Sequence, residues 1–169
     1  MPPMPGPTAH TPTESAVVYR SSVRVEPGAA KLKMVHLPHE SEPVPMGVHG
    51  PIAAHYKLAD GAFTPRASTL DYVVGATAGC LMGTLNGALT ARQIPTGDGR
   101  LTGEAVGEIE VEDGVLVIRR IHLVARLRGS AAHSETVTRV AGIYANQCPV
   151  YRSLRKGIAI TTELEFTAE

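Results

Sequence analysis

A chain of 169 residues, 43% of them hydrophobic, is long enough to bury one real core and too short for two ordinary domains. Its 16 Lys and Arg balance 16 Asp and Glu, for a formal net charge of +0, so no overall field draws it to nucleic acid or to an anionic membrane. Aromatic residues make up 4% and Trp is absent, which removes stacking platforms for single-stranded nucleic acid or sugars and leaves small ligands open.

In chain order, residues 1–13 are rich in Pro, Thr and Gly with little to bury, and are expected to form a disordered tail before a domain at 14–169. The first residues form neither the basic n-region nor the apolar h-region of a leader, and two cysteines are too few for a disulfide scaffold, so the expected compartment is the cytoplasm. Residues 15–25 and 30–36 alternate with the period of half-buried strands, separated by a Pro27-Gly28 turn. Pro38, Pro43 and Pro45 predict an irregular loop over 36–50. A short strand is expected at 52–57.

Ser68 or Thr69 offers an N-cap, with Asp71 in the first turn where a carboxylate favours the helix dipole. From there Leu70, Val73, Val74, Thr77, Leu81, Leu85, Ala88 and Leu89 recur at spacings of three and four, which predicts a helix to about Gln93, before Pro95. No charge falls between Asp71 and Arg92, about the length that crosses a bilayer. The stretch is nevertheless rich in small residues and carries Thr77, Thr84, Asn86 and Thr90, so it would insert poorly. Residues 101–112 and 115–128 are β-rich runs joined by Asp113-Gly114, a strong hairpin signal. Ser134, Glu135 and Thr136 open a second helix that carries Val137, Val140, Ala141, Tyr144 and Ala145 toward Cys148-Pro149, and a strand at 158–166 closes the domain. The elements predict an α+β fold, an antiparallel sheet packed on two main helices.

Gly75, Gly79, Gly83 and Gly87 recur every four residues in the first helix, each at about 1 kcal/mol relative to Ala. Such a stripe lets another backbone approach closely. Cys80 lies one step round from it, near Val73, Ala76 and Thr84. Cys148 precedes Pro149, a residue favoured at the first helical position, so its sulfur is placed to act as an N-cap. There the dipole with Arg152 and Arg155 favours a thiolate, while packing of Val150 and Tyr151 favours burial; both remain open. The long interval between the cysteines excludes a CxxC redox motif and a zinc knuckle. His36, His39, His49 and His55 gather loosely without metal-ligand spacing, and no G-x-S-x-G elbow supports a serine hydrolase.

Two motifs, LDYVVGATAGCLMGTLNGAL around Cys80 and ANQCPVYRSLRKGIAI around Cys148, resemble the OsmC/Ohr family of osmotically inducible and organic hydroperoxide resistance proteins. The similarity is strong at both motifs and in outline over about 14–166. It implies an OsmC-like fold, an intertwined homodimer with active sites at the subunit interface, and thiol peroxidase chemistry. On that pattern Cys80 attacks an organic hydroperoxide and becomes a sulfenic acid, Cys148 resolves it as a disulfide, and a dithiol reductant restores both. No metal or organic cofactor is implied. Family members also carry an acidic residue early in the helix and an Arg that pairs with it. Asp71 is the nearest acidic match, although nine residues place it about 180° from Cys80 on a straight helix. His55 and Arg66 are the two replacements for the Arg. A non-catalytic redox sensor or small-molecule binding protein of the same fold is the alternative.

Overall fold

In the computed structural model, which describes residues 17–169, regular structure begins with a three-stranded antiparallel meander of β1 (Arg24–Pro27), β2 (Lys33–His36) and β3 (Val44–Met46). The tail expected at 1–13 lies outside the described residues. The first strand is shorter than the alternation predicts: residues 17–23 are exposed and, among the described residues, no strand lies beside them to pair with. Strand β3, conversely, falls inside the stretch read as loop. Its Pro45 lies opposite Met34, which an edge strand tolerates since the missing N–H faces away from the ladder.

The strand expected at 52–57 is a helix, α1 (Gly50–His55). Pro51 occupies its first turn, where a missing N–H leaves no bond unmade, and Gly50 takes a φ of 40°, a left-handed value that glycine adopts without strain. Together they start a helical turn that overrides the short apolar pattern.

Helix α2 (Thr69–Thr90) begins with a capping box: the Ser68 hydroxyl accepts from Asp71 N–H at 3.2 Å, and the Asp71 carboxylate accepts from Ser68 N–H at 2.6 Å. Thr77, Leu81, Leu85 and Leu89 form its buried stripe. The helix stops three residues earlier than expected, since Arg92 and Gln93 N–H turn back onto the carbonyls of Leu89 and Thr90 and Gln93 adopts a φ of 59°. Its glycine stripe faces outward, with nothing within 4 Å of a Cβ built at Gly75, Gly79, Gly83 or Gly87.

Strands β4 (Leu101–Glu112) and β5 (Val115–Gly129) form the antiparallel hairpin, from Leu101↔Leu127 to Glu112↔Val115, with an irregularity between Glu108 and Ile109. Asp113 and Gly114 both take positive φ, 50° and 80°, as a type I′ turn requires. Strand β6 (Ala159–Ala168) pairs with the other side of β5, and it runs parallel. The α+β architecture is therefore as expected, with one parallel pair in a sheet of order β4-β5-β6. That direction follows from the helical segment between β5 and β6, which returns the chain to the start of the sheet as a crossover does. It comprises α3 (Ser134–Ala141), a 3-10 turn (Tyr144–Gln147) and α4 (Pro149–Leu154). Helix α3 ends before Tyr144, at a cap on Gly142.

The core lies between α2, α3 and the inner face of the second sheet, where Leu81, Leu85, Ile121, Leu123, Leu127 and Val140 are buried together with Cys148. The outer sheet face is a ladder of exposed charges in which Arg126 bridges Glu104 on β4 at 2.9 Å and Glu165 on β6 at 2.8 Å. Such exposed pairs are each worth little.

Candidate active site

Cys80 is carried by α2, on the flank of the stripe that faces the core, and is half-buried. Cys148 comes from the N-cap of α4. Pro149 fixes the first helical position behind it, and the cysteine sulfur accepts from the Tyr151 N–H at 3.5 Å. The cap position legible in the sequence is therefore formed, with the sulfur fully buried at 0% exposure.

The two cysteines are brought together: Cys80 packs against the buried core cluster that holds Cys148. Burial pushes the Cys148 thiol above its ordinary range, and the neighbouring Cys80 adds to that, while the Tyr151 N–H and Thr84 pull against it. Of the two environments left open for Cys148, burial prevails over the helix cap. Tyr144, 2% exposed and four residues upstream, packs into the same cluster. Its hydroxyl faces Thr162 and Cys148 without a well-formed hydrogen bond among the described residues.

Asp71 lies at the other end of the buried stretch of α2. Burial alone would raise its carboxyl, but hydrogen bonds from the Ser68 hydroxyl and backbone and from His49 outweigh this and hold it below the usual carboxylate range. The side-chain partner from outside the helix start is His49, whose Nε2 is 2.8 Å from the Asp71 carboxylate. Neither replacement expected for the family's Arg takes that place. His55 ends α1, with its ring edge-on to Tyr56 at 5.2 Å, and Arg66 is exposed on the loop before α2. Among the described residues neither makes an ion pair with Asp71.

The reason His49 reaches Asp71 is a backbone splice. Gly47 and Ser68 form a parallel bridge, with Gly47 N–H donating to the Ala67 carbonyl at 2.9 Å and Arg66 N–H to the Val48 carbonyl at 3.1 Å. A Cβ at Gly47 would lie 3.0 Å from that of Arg66, so glycine permits the approach. The residues are far apart in sequence and the splice is one bridge long, so no periodic signal announces it. Among the described residues no group of three or more His, Cys, Asp or Glu gathers to hold a metal.

The fold is a small α+β domain in which a cysteine on the long helix packs against the core that holds a second cysteine, at the N-cap of a short helix. The profile of the OsmC-like protein family matches residues 60–163, more than half of the chain, and the chain belongs to that family. No curated protein matches the sequence significantly. Among solved structures, an OsmC-like protein of unknown function from Vibrio cholerae superposes with a TM-score of 0.68 at 13% identity, covering 87% of this chain and 99% of its own. An OsmC-like protein from Mycoplasma pneumoniae gives 0.62 at 13% identity, over 90% and 99%. The organic hydroperoxide resistance protein of Bacillus subtilis gives 0.60 at 15% identity, over 89% and 100%.

Proposed function

We propose that this chain is a thiol-dependent peroxidase that reduces organic hydroperoxides to alcohols, with Cys80 as nucleophile and Cys148 as resolving thiol. The observation that carries the reading is that the half-buried Cys80 on α2 packs against the core cluster holding the buried Cys148 at the start of α4. The Cys80 thiolate attacks the O–O bond, takes one oxygen as a sulfenic acid and releases the alkoxide, which leaves as the alcohol after gaining a proton. Cys148 then attacks the Cys80 sulfur; an S–S bond forms, the S–O bond breaks, and the departing hydroxide takes the Cys148 proton to become water. A dithiol of the cytoplasm reduces the disulfide and completes the cycle. Burial of Cys148 suits the later role, since a thiol held protonated does not compete for peroxide. The kinship of fold with the Bacillus subtilis resistance protein supports hydroperoxides as the substrate class.

The working form in this reading is a homodimer. Helix α2 is apolar enough to match a membrane span by length and composition, yet only 22% of its most apolar stretch is buried within the chain. A second copy supplies the cover that such a face needs.

One observation favours the redox-sensor alternative. Asp71 is engaged by His49 and stands two and a half turns from Cys80, so among the described residues of one chain no acid-cation pair is placed to activate the thiol. Cumene hydroperoxide with a dithiol separates the two readings. Continued consumption over many equivalents is the expected result; one stoichiometric oxidation that then stops would replace the peroxidase with the sensor.

A further inference from the structure

A cleft of about 300 Å³ lies between the meander, α1 and the start of α2, and Leu116 of β5 also lines it. It contains neither cysteine, and Asp71 opens onto a different cleft, with Val74 and Gly107. Val48, Ile52 and Leu70 give it an apolar lining, and no Asp or Glu lines it. Its charges are those of Lys31 and Lys33. Lys33 stands on the same face of β2 as Val35, which is 7% exposed, so its half-buried side chain is directed inward. Lys31 reaches the cleft by a costlier route, since Ala30 and Lys31 in succession take φ of 49° and 66°, left-handed values that residues with a Cβ rarely adopt. The Lys31 ammonium stands over the Tyr56 ring, 4.7 Å from its centre, which is a cation–π contact. Among the described residues neither lysine has an ion-pair partner. Two cations that converge on a partly covered apolar cleft leave positive charge there without a counter-charge.

We propose that this cleft is a binding site for an amphipathic monocarboxylate, its carboxylate held by Lys31 and Lys33 and its short apolar chain laid against Val48, Ile52, Leu70 and Leu116. The volume is at the lower end for small-molecule sites and suits a chain of about eight carbons, not a phospholipid. The Ser68 hydroxyl is committed to Asp71 at 2.6 Å, which leaves the two ammonium groups as the main donors, enough for a singly charged head. The site is separate from the thiols, so it does not depend on the peroxidase reading.

The test titrates the full, reduced chain with octanoate by calorimetry, with octanol and acetate as comparison ligands. Octanoate should bind saturably, one per chain, and raise the thermal midpoint as its concentration rises. Octanol, which lacks the charge, should bind about tenfold more weakly, the worth of one hydrogen bond to a charged group. Acetate, which lacks the chain, should bind more weakly still. In Lys31→Gln/Lys33→Met, where methionine keeps most of the apolar stem and loses the charge, octanoate should fall to the level of octanol while octanol keeps its affinity. Lys33→Met alone carries the same expectation in direction and serves if the double variant does not fold. Lys33→Arg, which keeps a cation, should retain octanoate binding. Absence of saturable octanoate binding at millimolar concentration would overturn the proposal, and so would an unchanged octanoate affinity in the double variant. Octanol or acetate binding as tightly as octanoate would overturn it as well, since the site would then read only one half of the ligand. Cys80→Ser should bind octanoate like wild type; loss of binding there would place the ligand at the thiols and remove the lysine cleft.

Discussion

At the scale of single residues, two chemically identical side chains are made unequal by their surroundings. Cys80 is half-buried, whereas Cys148 is closed in and held protonated by burial. Cys80→Ser should therefore abolish peroxide turnover, because a serine hydroxyl is scarcely ionised near neutral pH. Cys148→Ser should react once, leaving a Cys80 sulfenic acid that a dimedone-type reagent traps and that excess peroxide drives to the sulfinic form. Trapping at Cys148 in the Cys80→Ser chain would reverse the assignment. Asp71 yields a second expectation. Its carboxyl lies below the ordinary range when folded, so the stability it adds is present above the unfolded carboxylate value, about 3.9, and is lost as pH falls through the lower folded value. Asp71→Asn should cost about 1 kcal/mol at neutral pH through the weakened capping box. That cost should shrink on acidification, as read by thermal melting from pH 7 to 3. A cost that stays constant over this range would mean that the charge is not what stabilises the helix start.

At the scale of elements, the close approach in this fold is made by a strand and not by the glycine-rich helix. A Cβ at Gly103 would stand 2.6 Å from Met82 Sδ, and one at Gly107 would strike Val74 Cγ2 at still shorter range. Met82 is flexible and can swing aside, whereas Val74 is β-branched and stiff. Gly107→Ala should therefore destabilise by about 1 to 3 kcal/mol, and Gly103→Ala by clearly less, in urea unfolding; equal costs would place the strain elsewhere. The long helix, its cap at Ser68 and the Asp113-Gly114 hairpin are legible in the sequence because each rests on local chemistry, periodicity or turn residues. The roles of the glycines are not, since the same four-residue spacing describes a tight face and an open one. The helix at Gly50–His55 is hidden for a related reason, as its six residues make fewer than two turns, too few for a periodic pattern to repeat, and only Pro51 marks the start. Cys80 and Cys148 stand out as residues, but their proximity depends on how the segment from α3 to α4 folds back across α2, which no local pattern states.

At the scale of the whole molecule, the chain leaves exposed what small domains normally cover. Among the described residues the meander of β1 to β3 and the sheet of β4 to β6 are two separate three-stranded sheets, and no further strand pairs with the long outer edges of β4 and β6, edges of a kind that invite pairing. Along α2, the exposed glycines present bare helix backbone, a surface suited to close contact with another backbone. The homodimer proposed above would cover this face, and a single substitution distinguishes that from a face that stays in water. Gly79→Leu meets no atom within 4 Å in one chain, so a monomeric protein should accept it with little change in stability and even gain helix propensity. In a dimer that packs on this stripe, the leucine would hold the two backbones apart and overpack the contact. The expected result is that wild-type protein sediments as a dimer while Gly79→Leu sediments as a folded monomer, with its helical circular dichroism retained. A wild-type monomer at working concentrations, or a Gly79→Leu dimer as tight as wild type, would show that the stripe is not where two copies meet.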